Sequence, residues 1–201
     1  MKNLALLLFA FANSLSHASA TLGNDLTTRD VEIGPWEVTW LHTFSPSGRP
    51  GSSPNSSIMV EISNPEIAAG PSPTGTVVFP ASTANCTAEW TTAGGSPYGT
   101  TYDCVTVSGD SSTASWELEA IEADSDANPT ENVILKFTLT YNVTAAANVY
   151  YKVMEGTGHF FIPDNMEGSC GGSGVCNWYL KDDSTPYEIE PTLTVCQGTC
   201  Q

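Results

Sequence analysis

Positive charge is scarce in this chain. Six lysines and arginines stand against 22 aspartates and glutamates, for a formal net charge of −16 at pH 7. So acidic a surface repels phosphate backbones and anionic lipid headgroups, which excludes nucleic acid and anionic membranes as natural partners. Long apolar runs are also missing. Beyond residue 20 none approaches the roughly 18 residues of a membrane helix, so no membrane insertion is expected. The last seven residues, Val195-Cys-Gln-Gly-Thr-Cys-Gln201, form no apolar tail and carry no lipid-anchor signal.

Catalytic and metal motifs are equally thin. Only three histidines occur, His17, His42 and His159, and H-E-x-x-H is absent. Gly171-Gly-Ser-Gly-Val175 misses the G-x-S-x-G nucleophile elbow at its last position. Glycosidase chemistry needs one selected carboxylate pair, and 22 acids offer too many to select one. Asp124-Ser-Asp126-Ala-Asn128 opens like a calcium loop, but Pro129 and Leu135 stand where glycine and glutamate are required. A solvated acidic turn is the expectation there. No catalytic residue, metal or cofactor is assigned.

What is present begins with a secretory signal. Lys2, an apolar run at 4–12 and Ala18-Ser-Ala20 have the order of a cleaved leader, so residues 1–20 are expected to be removed. Residues 21–201 then make a single domain, with a polar leader at 21–30, secreted to the extracellular space. One enzymatic alternative depends on that cleavage. Processing after Ser16 would make His17 the N-terminus, and an N-terminal histidine with a second histidine is the copper brace of lytic polysaccharide monooxygenases. Ala18-Ser-Ala20 is the better cleavage site.

All six cysteines, Cys86, Cys104, Cys170, Cys176, Cys196 and Cys200, lie in the mature part and read as disulfides. No pair has C-x₂-C spacing, which argues against zinc. Asn55-Ser-Ser, Asn85-Cys-Thr and Asn142-Val-Thr fit the glycan acceptor pattern, whereas Asn128-Pro-Thr is blocked by its proline. Asn142 ends a polar strand face and Asn55 lies in an apparent loop. Asn85 abuts a cysteine and ranks last of the three.

Strand periodicity dominates the rest. Throughout 132–143, Val133, Leu135, Phe137, Leu139, Tyr141 and Val143 alternate with a mostly polar set, giving one face for a core and one for solvent. In 31–44 the alternation puts Trp36, Val38, Trp40, His42 and Phe44 together. Residues 45–57 are rich in serine, proline and glycine and predict an exposed loop. Residues 85–90 and 102–107 predict a hairpin that Cys86–Cys104 could staple, a closure worth about 3 kcal/mol. Residues 114–123 carry Trp116, Leu118 and Ala120 on one face; 132–143 and 149–154 predict a second hairpin. Pro191 argues for an edge or a break within 187–196. About nine or ten such strands, without an amphipathic helix, point to a disulfide-stapled antiparallel β-sandwich or barrel. Trp36, Trp40 and Trp90 are the candidate ligand-binding aromatics, although tryptophan on an alternating strand more often fills a core.

The strand pair Asn85-Cys-Thr-Ala-Glu-Trp … Tyr-Asp-Cys104, the early Pro35-Trp-Glu-Val-Thr-Trp40 and the late Cys170-Gly-Gly-Ser-Gly … Val-Cys196-Gln-Gly resemble the Alternaria major allergen family. These are small secreted fungal β-barrel proteins that include allergens, elicitors and candidate effectors. The resemblance implies Cys86–Cys104 and Cys170–Cys196, leaving Cys176 with Cys200. It also implies action by binding a host or environmental protein or glycan, without catalysis. The family prototype's early subunit-linking cysteine has no counterpart between 21 and 85, so a covalent dimer is not implied and the oligomeric state stays open. A carbohydrate-binding or wall-associated module is the alternative function. N-terminal sequencing of the secreted protein should return Thr21; His17 would reinstate the copper reading.

Overall fold

The computed structural model describes residues 34–65, 68–72, 75–124, 128–145 and 147–198. The expected signal segment, the leader at 21–30, His17 and Cys200 lie outside the described residues, as do the central positions of the acidic turn.

Alternating β-branched and aromatic residues form strands wherever each can line a core with every second side chain. Among the described residues fourteen strands result, more than the nine or ten expected. They are β1 (Trp36–Ser45), β2 (Asn55–Asn64), β3 (Ala68–Ser72), β4 (Gly75–Phe79), β5 (Ser82–Thr91), β6 (Thr101–Asp103) and β7 (Val105–Ser108). The remainder are β8 (Ala114–Glu122), β9 (Asn132–Ala145), β10 (Asn148–Phe161), β11 (Met166–Cys170), β12 (Cys176–Leu180), β13 (Tyr187–Ile189) and β14 (Thr192–Gln197). Among the described residues helix is limited to one 3₁₀ turn, Asp182–Ser184, and no helix is long and apolar enough to cross a membrane.

A larger sheet runs β11-β12-β1-β2-β5-β7, with β13 sharing one edge of β1 with β12. A smaller sheet runs β14-β10-β9-β8-β6, and β3 with β4 makes a separate hairpin. Every strand pair is antiparallel, and neither sheet closes on itself. The architecture is a sandwich, not a barrel. Two crossings between sheets account for part of the excess. Cys104 separates β6 in the smaller sheet from β7 in the larger, and Pro191 separates β13 in the larger sheet from β14 in the smaller. A proline has no N–H to give a ladder, so the chain leaves one sheet there and enters the other as an edge.

The long hairpin behaves as its sequence implies. β9 pairs with β10 along its whole length, and β10 runs on past the expected 149–154 to Phe161. Val133, Leu135, Phe137, Leu139 and Tyr141 are buried, and Asn142 is exposed on the opposite side. Facing them from the larger sheet are Trp36, Val38, Leu41, Ile58, Val60 and Ile62. Trp36 meets Trp116 edge-on across the sandwich, with ring centroids 4.7 Å apart.

Three expectations need correction. The predicted loop at 45–57 ends sooner, because β2 begins at Asn55 and pairs with Thr91. The common face of Trp36, Val38, Trp40, His42 and Phe44 does not exist. A bulge between Val38 and Trp40 inserts one residue against β2, so Trp36 and Val38 point inward, as do Leu41 and Thr43, while Trp40 is turned outward. One extra residue reverses strand parity. Finally, Cys86–Cys104 forms as expected, but Cys170 bonds to Cys176. These two are register partners at the turn end of the β11–β12 hairpin, 3.9 Å apart at Cα, whereas Cys196 belongs to β14 in the other sheet. Cys196 is itself disulfide-bonded.

Two glycine and turn positions test this packing. A Cβ on Gly156 in β10 would sit 2.7 Å from Ile189 and 3.2 Å from the Trp36 ring, so Gly156→Ala should destabilise the protein by about 1–3 kcal/mol. Ala147, in the two-residue connection of the long hairpin, has φ 65°, a region that penalises a Cβ. Ala147→Gly should therefore move urea stability the other way, by about 1 kcal/mol.

Candidate functional site

The outer face of the larger sheet is laid out by its ladders. One lateral row runs Glu167–Tyr179–His42–Met59–Thr87, from β11 to β5. The next runs Trp40–Glu61–Asn85–Val105, and a third runs Ser169–Asn177–Phe44–Ser57–Glu89. The three rows contain aromatic, amide, hydroxyl and carboxylate groups and no lysine or arginine.

Aromatic rings occupy one side of this face. Trp40 is 46% exposed and Tyr179 45% exposed. His42 lies between them, stacked on Tyr179 with centroids 4.6 Å apart and planes 14° from parallel. Its ring is 6.0 Å from that of Trp40. The imidazole is oriented by Asn177, whose Oδ1 accepts from His42 Nε2 at 3.0 Å. Beside Trp40, Glu61 accepts from the hydroxyl of Thr39, the bulge residue, at 2.5 Å. Flat apolar rings edged by fixed acceptors suit a ligand with both C–H faces and hydroxyl donors.

The other candidate aromatics sit elsewhere. Trp36 is fully buried, Trp90 is buried at the inner side of β5, and Trp116 is buried with its indole donating to Ser82 Oγ at 3.0 Å. Only Trp40 of the three proposed ligand-binding tryptophans reaches solvent. Tyr179 was missed because Trp178, Tyr179 and Leu180 are apolar in succession, which hides strand parity. Leu41, out of phase with Trp36 and Val38, was the one signal that β1 contains a bulge.

The glycan acceptors are also rearranged. Asn142 and Asn85 are exposed on the outer sides of the smaller and larger sheets respectively. Asn55 is half-buried and its amide donates to Glu89. Asn85 therefore presents more freely than Asn55.

Several further polar clusters lie elsewhere in the fold. His42 and His159 lie on the outer sides of different sheets, and His159 Nε2 pairs with Asn132 Oδ1 at 2.6 Å while its ring stacks on Phe161. Glu131 approaches Cys170 and Cys176, but those sulfurs are bonded to each other and are not thiolate ligands. At the acidic turn, Asn128 Oδ1 accepts from the backbone and hydroxyl of Thr130, and Asp124 accepts from Asn132. An open depression lies between Asp164, Asn165, Ser184, Pro186, Tyr187 and Glu188. The amide of Asn165 is consumed there by Phe161 N and His159 O. No protein-family model, curated protein or solved structure matches the chain.

One buried charge stands apart from the face. Lys152, 4% exposed, points inward from β10 with its ammonium 4.5 Å from the centre of the Phe79 ring. Its ladder partner on β9, Tyr141, donates to Pro80 O at 2.5 Å and accepts from Asn64 at 2.8 Å. Among the described residues no carboxylate pairs with Lys152, and burial lowers its pKa below the ordinary 10.5. Burial raises the Tyr141 pKa. The native state thus bears a protonated lysine at a cost, which is relieved as pH rises from the lowered native pKa towards 10.5. Above 10 the retained Tyr141 proton acts oppositely, because the unfolded chain ionises first. Lys152→Met should raise Tm at pH 7, and that advantage should shrink as pH approaches 10.5.

Proposed function

We propose that this is a secreted, non-catalytic binding protein whose working surface is the outer face around Trp40, and that its ligand is an uncharged saccharide. The observation that carries this reading is the pairing of an exposed Trp40 with the stacked His42 and Tyr179 on an open sheet face. Aromatic rings so placed provide apolar contact for the C–H faces of a sugar, and Asn177 and Glu61 lie beside them as hydrogen-bonding groups. Charge supports an uncharged ligand: the protein carries −16 overall, and the rows around Trp40 hold carboxylates without a cation. Described disulfides and the N-terminal signal pattern support an extracellular setting.

A second reading is an effector or elicitor of the kind suggested by the resemblance to the fungal allergen family. Val105 and Val107 favour a protein partner, since both are more than half exposed on the short outer strand β7. The two readings separate by titrating the protein, prepared without N-glycans, against insoluble neutral polysaccharides. Trp40→Ala should weaken binding about tenfold or more with the near-ultraviolet circular dichroism otherwise preserved. Retention on no polysaccharide would remove the saccharide reading and leave the protein-partner one. Trp36→Ala is no probe of binding, because Trp36 lies in the core.

A further inference from the structure

Trp40 and Asn85 belong to one lateral row. Trp40 pairs with Glu61 across β1 and β2, Glu61 pairs with Asn85 across β2 and β5, and Asn85 pairs with Val105. Cross-strand neighbours in register point to the same side, and two strand spacings separate Trp40 from Asn85 by about 10 Å. Asn85 is the acceptor of the sequon Asn85-Cys86-Thr87, and both Asn85 and Thr87 are exposed. Cys86 between them points inward to its disulfide, leaving the acceptor and the hydroxyl facing out together. The modification site and the aromatic platform therefore share one surface.

We propose that Asn85 carries an N-linked glycan whose innermost sugars lie along this row and pack on the Trp40 ring, so that the saccharide face is filled in cis by the protein's own carbohydrate. The inference rests on the reading of the Trp40 face as a saccharide surface and adds its regulation. Two observations and a tethering argument favour a course of the glycan towards Trp40. Glu61, the side chain between, is drawn to Thr39 and does not stand as a barrier paired with a cation. Trp40, 46% exposed, offers an aromatic ring at the end of the row. Tethering also helps, because a short flexible connection supplies an effective concentration of about millimolar, enough to fill a weak site. Asn142 provides the comparison: its ladder partner is Tyr151 in the smaller sheet, on the other outer side of the sandwich.

The test uses the full-length protein secreted from a eukaryotic host that attaches N-glycans. Site mapping by mass spectrometry should find Asn85 modified. Acrylamide quenching of tryptophan fluorescence, with Trp40→Phe identifying the Trp40 contribution, should show that residue shielded. Digestion with peptide N-glycanase, and separately Asn85→Gln and Thr87→Ala, should expose Trp40 to quencher and raise affinity for neutral polysaccharide about tenfold. Asn142→Gln should leave Trp40 quenching unchanged. An unmodified Asn85, or a glycan there whose removal leaves Trp40 quenching unaltered, overturns the inference. If removal unshields Trp40 but the trimmed protein binds no polysaccharide, the cis contact stands and the saccharide-binding function is what fails.

Discussion

The edge-on contact of Trp36 with Trp116 is the constraint on which the sandwich depends. The two indoles come from opposite sheets and are among the largest fully buried side chains. Aromatic groups of this size can meet at 4.7 Å only if neighbouring positions give way, and Gly156 does so on β10 by presenting no Cβ towards Trp36 and Ile189. Ile189 itself arrives on β13, a three-residue strand paired to the start of β1. Burial of the pair thus holds the short tail strand against the first strand of the core. Trp116 is satisfied by Ser82, while the Trp36 indole nitrogen has no hydrogen-bond partner among the described residues. The packing of the ring outweighs the cost of that orphaned donor.

The same strand then makes the surface. β1 is laddered to β2 on one side and to β12 and β13 on the other, so its side-chain directions are set by both neighbours. With Trp36 and Val38 anchored inward, the bulge at Thr39 sends Trp40 out and restores Leu41 and Thr43 to the interior. Thr43 is buried and donates to Thr130 O at 2.6 Å, binding the far end of β1 to the turn that precedes β9. Each ring of the aromatic face stands on a strand laddered to a neighbour on both sides. A platform on a sheet loses less order on binding than one carried by loops.

Much of the scaffold was legible from residue pattern. The β9–β10 hairpin follows from strict alternation, and Trp116, Leu118 and Ala120 share a buried face for the same cause. Cys86–Cys104 could be anticipated because both cysteines flank a turn-rich segment between strand patterns. The parity of β1 could not, since a bulge is a property of the ladder with β2 and leaves only the displaced Leu41 as a local trace. Strand number was undercounted where the chain changes sheets, at Cys104 and Pro191, because periodicity does not report which partner a strand finds. The resemblance-based pairing of Cys170 with Cys196 failed on proximity: a six-residue separation across one hairpin brings Cys170 to Cys176 before any contact between sheets is needed.

Composition and geometry meet in what the outer face can select. With 22 acids and six bases, long-range attraction can favour only cationic ligands or leave uncharged ones unaffected. No aromatic cage closes around a cation here: His42 stacks on Tyr179, and Trp40 is tilted 47° from His42 along an open sheet. The rings lie side by side on an open sheet face. Specificity must then come from the spacing of rings and acceptors along the rows, which the 4.7–4.9 Å interval between strands sets at about one polar group per strand. A chain with a repeating pattern of apolar faces and hydroxyls can match that interval at several strands at once. A globular protein partner would need a complementary contour over the whole face, where Glu61, Glu89 and Glu167 would each have to be paired or desolvated. A ligand bearing hydroxyls could instead donate to those carboxylates while its apolar faces cover the rings.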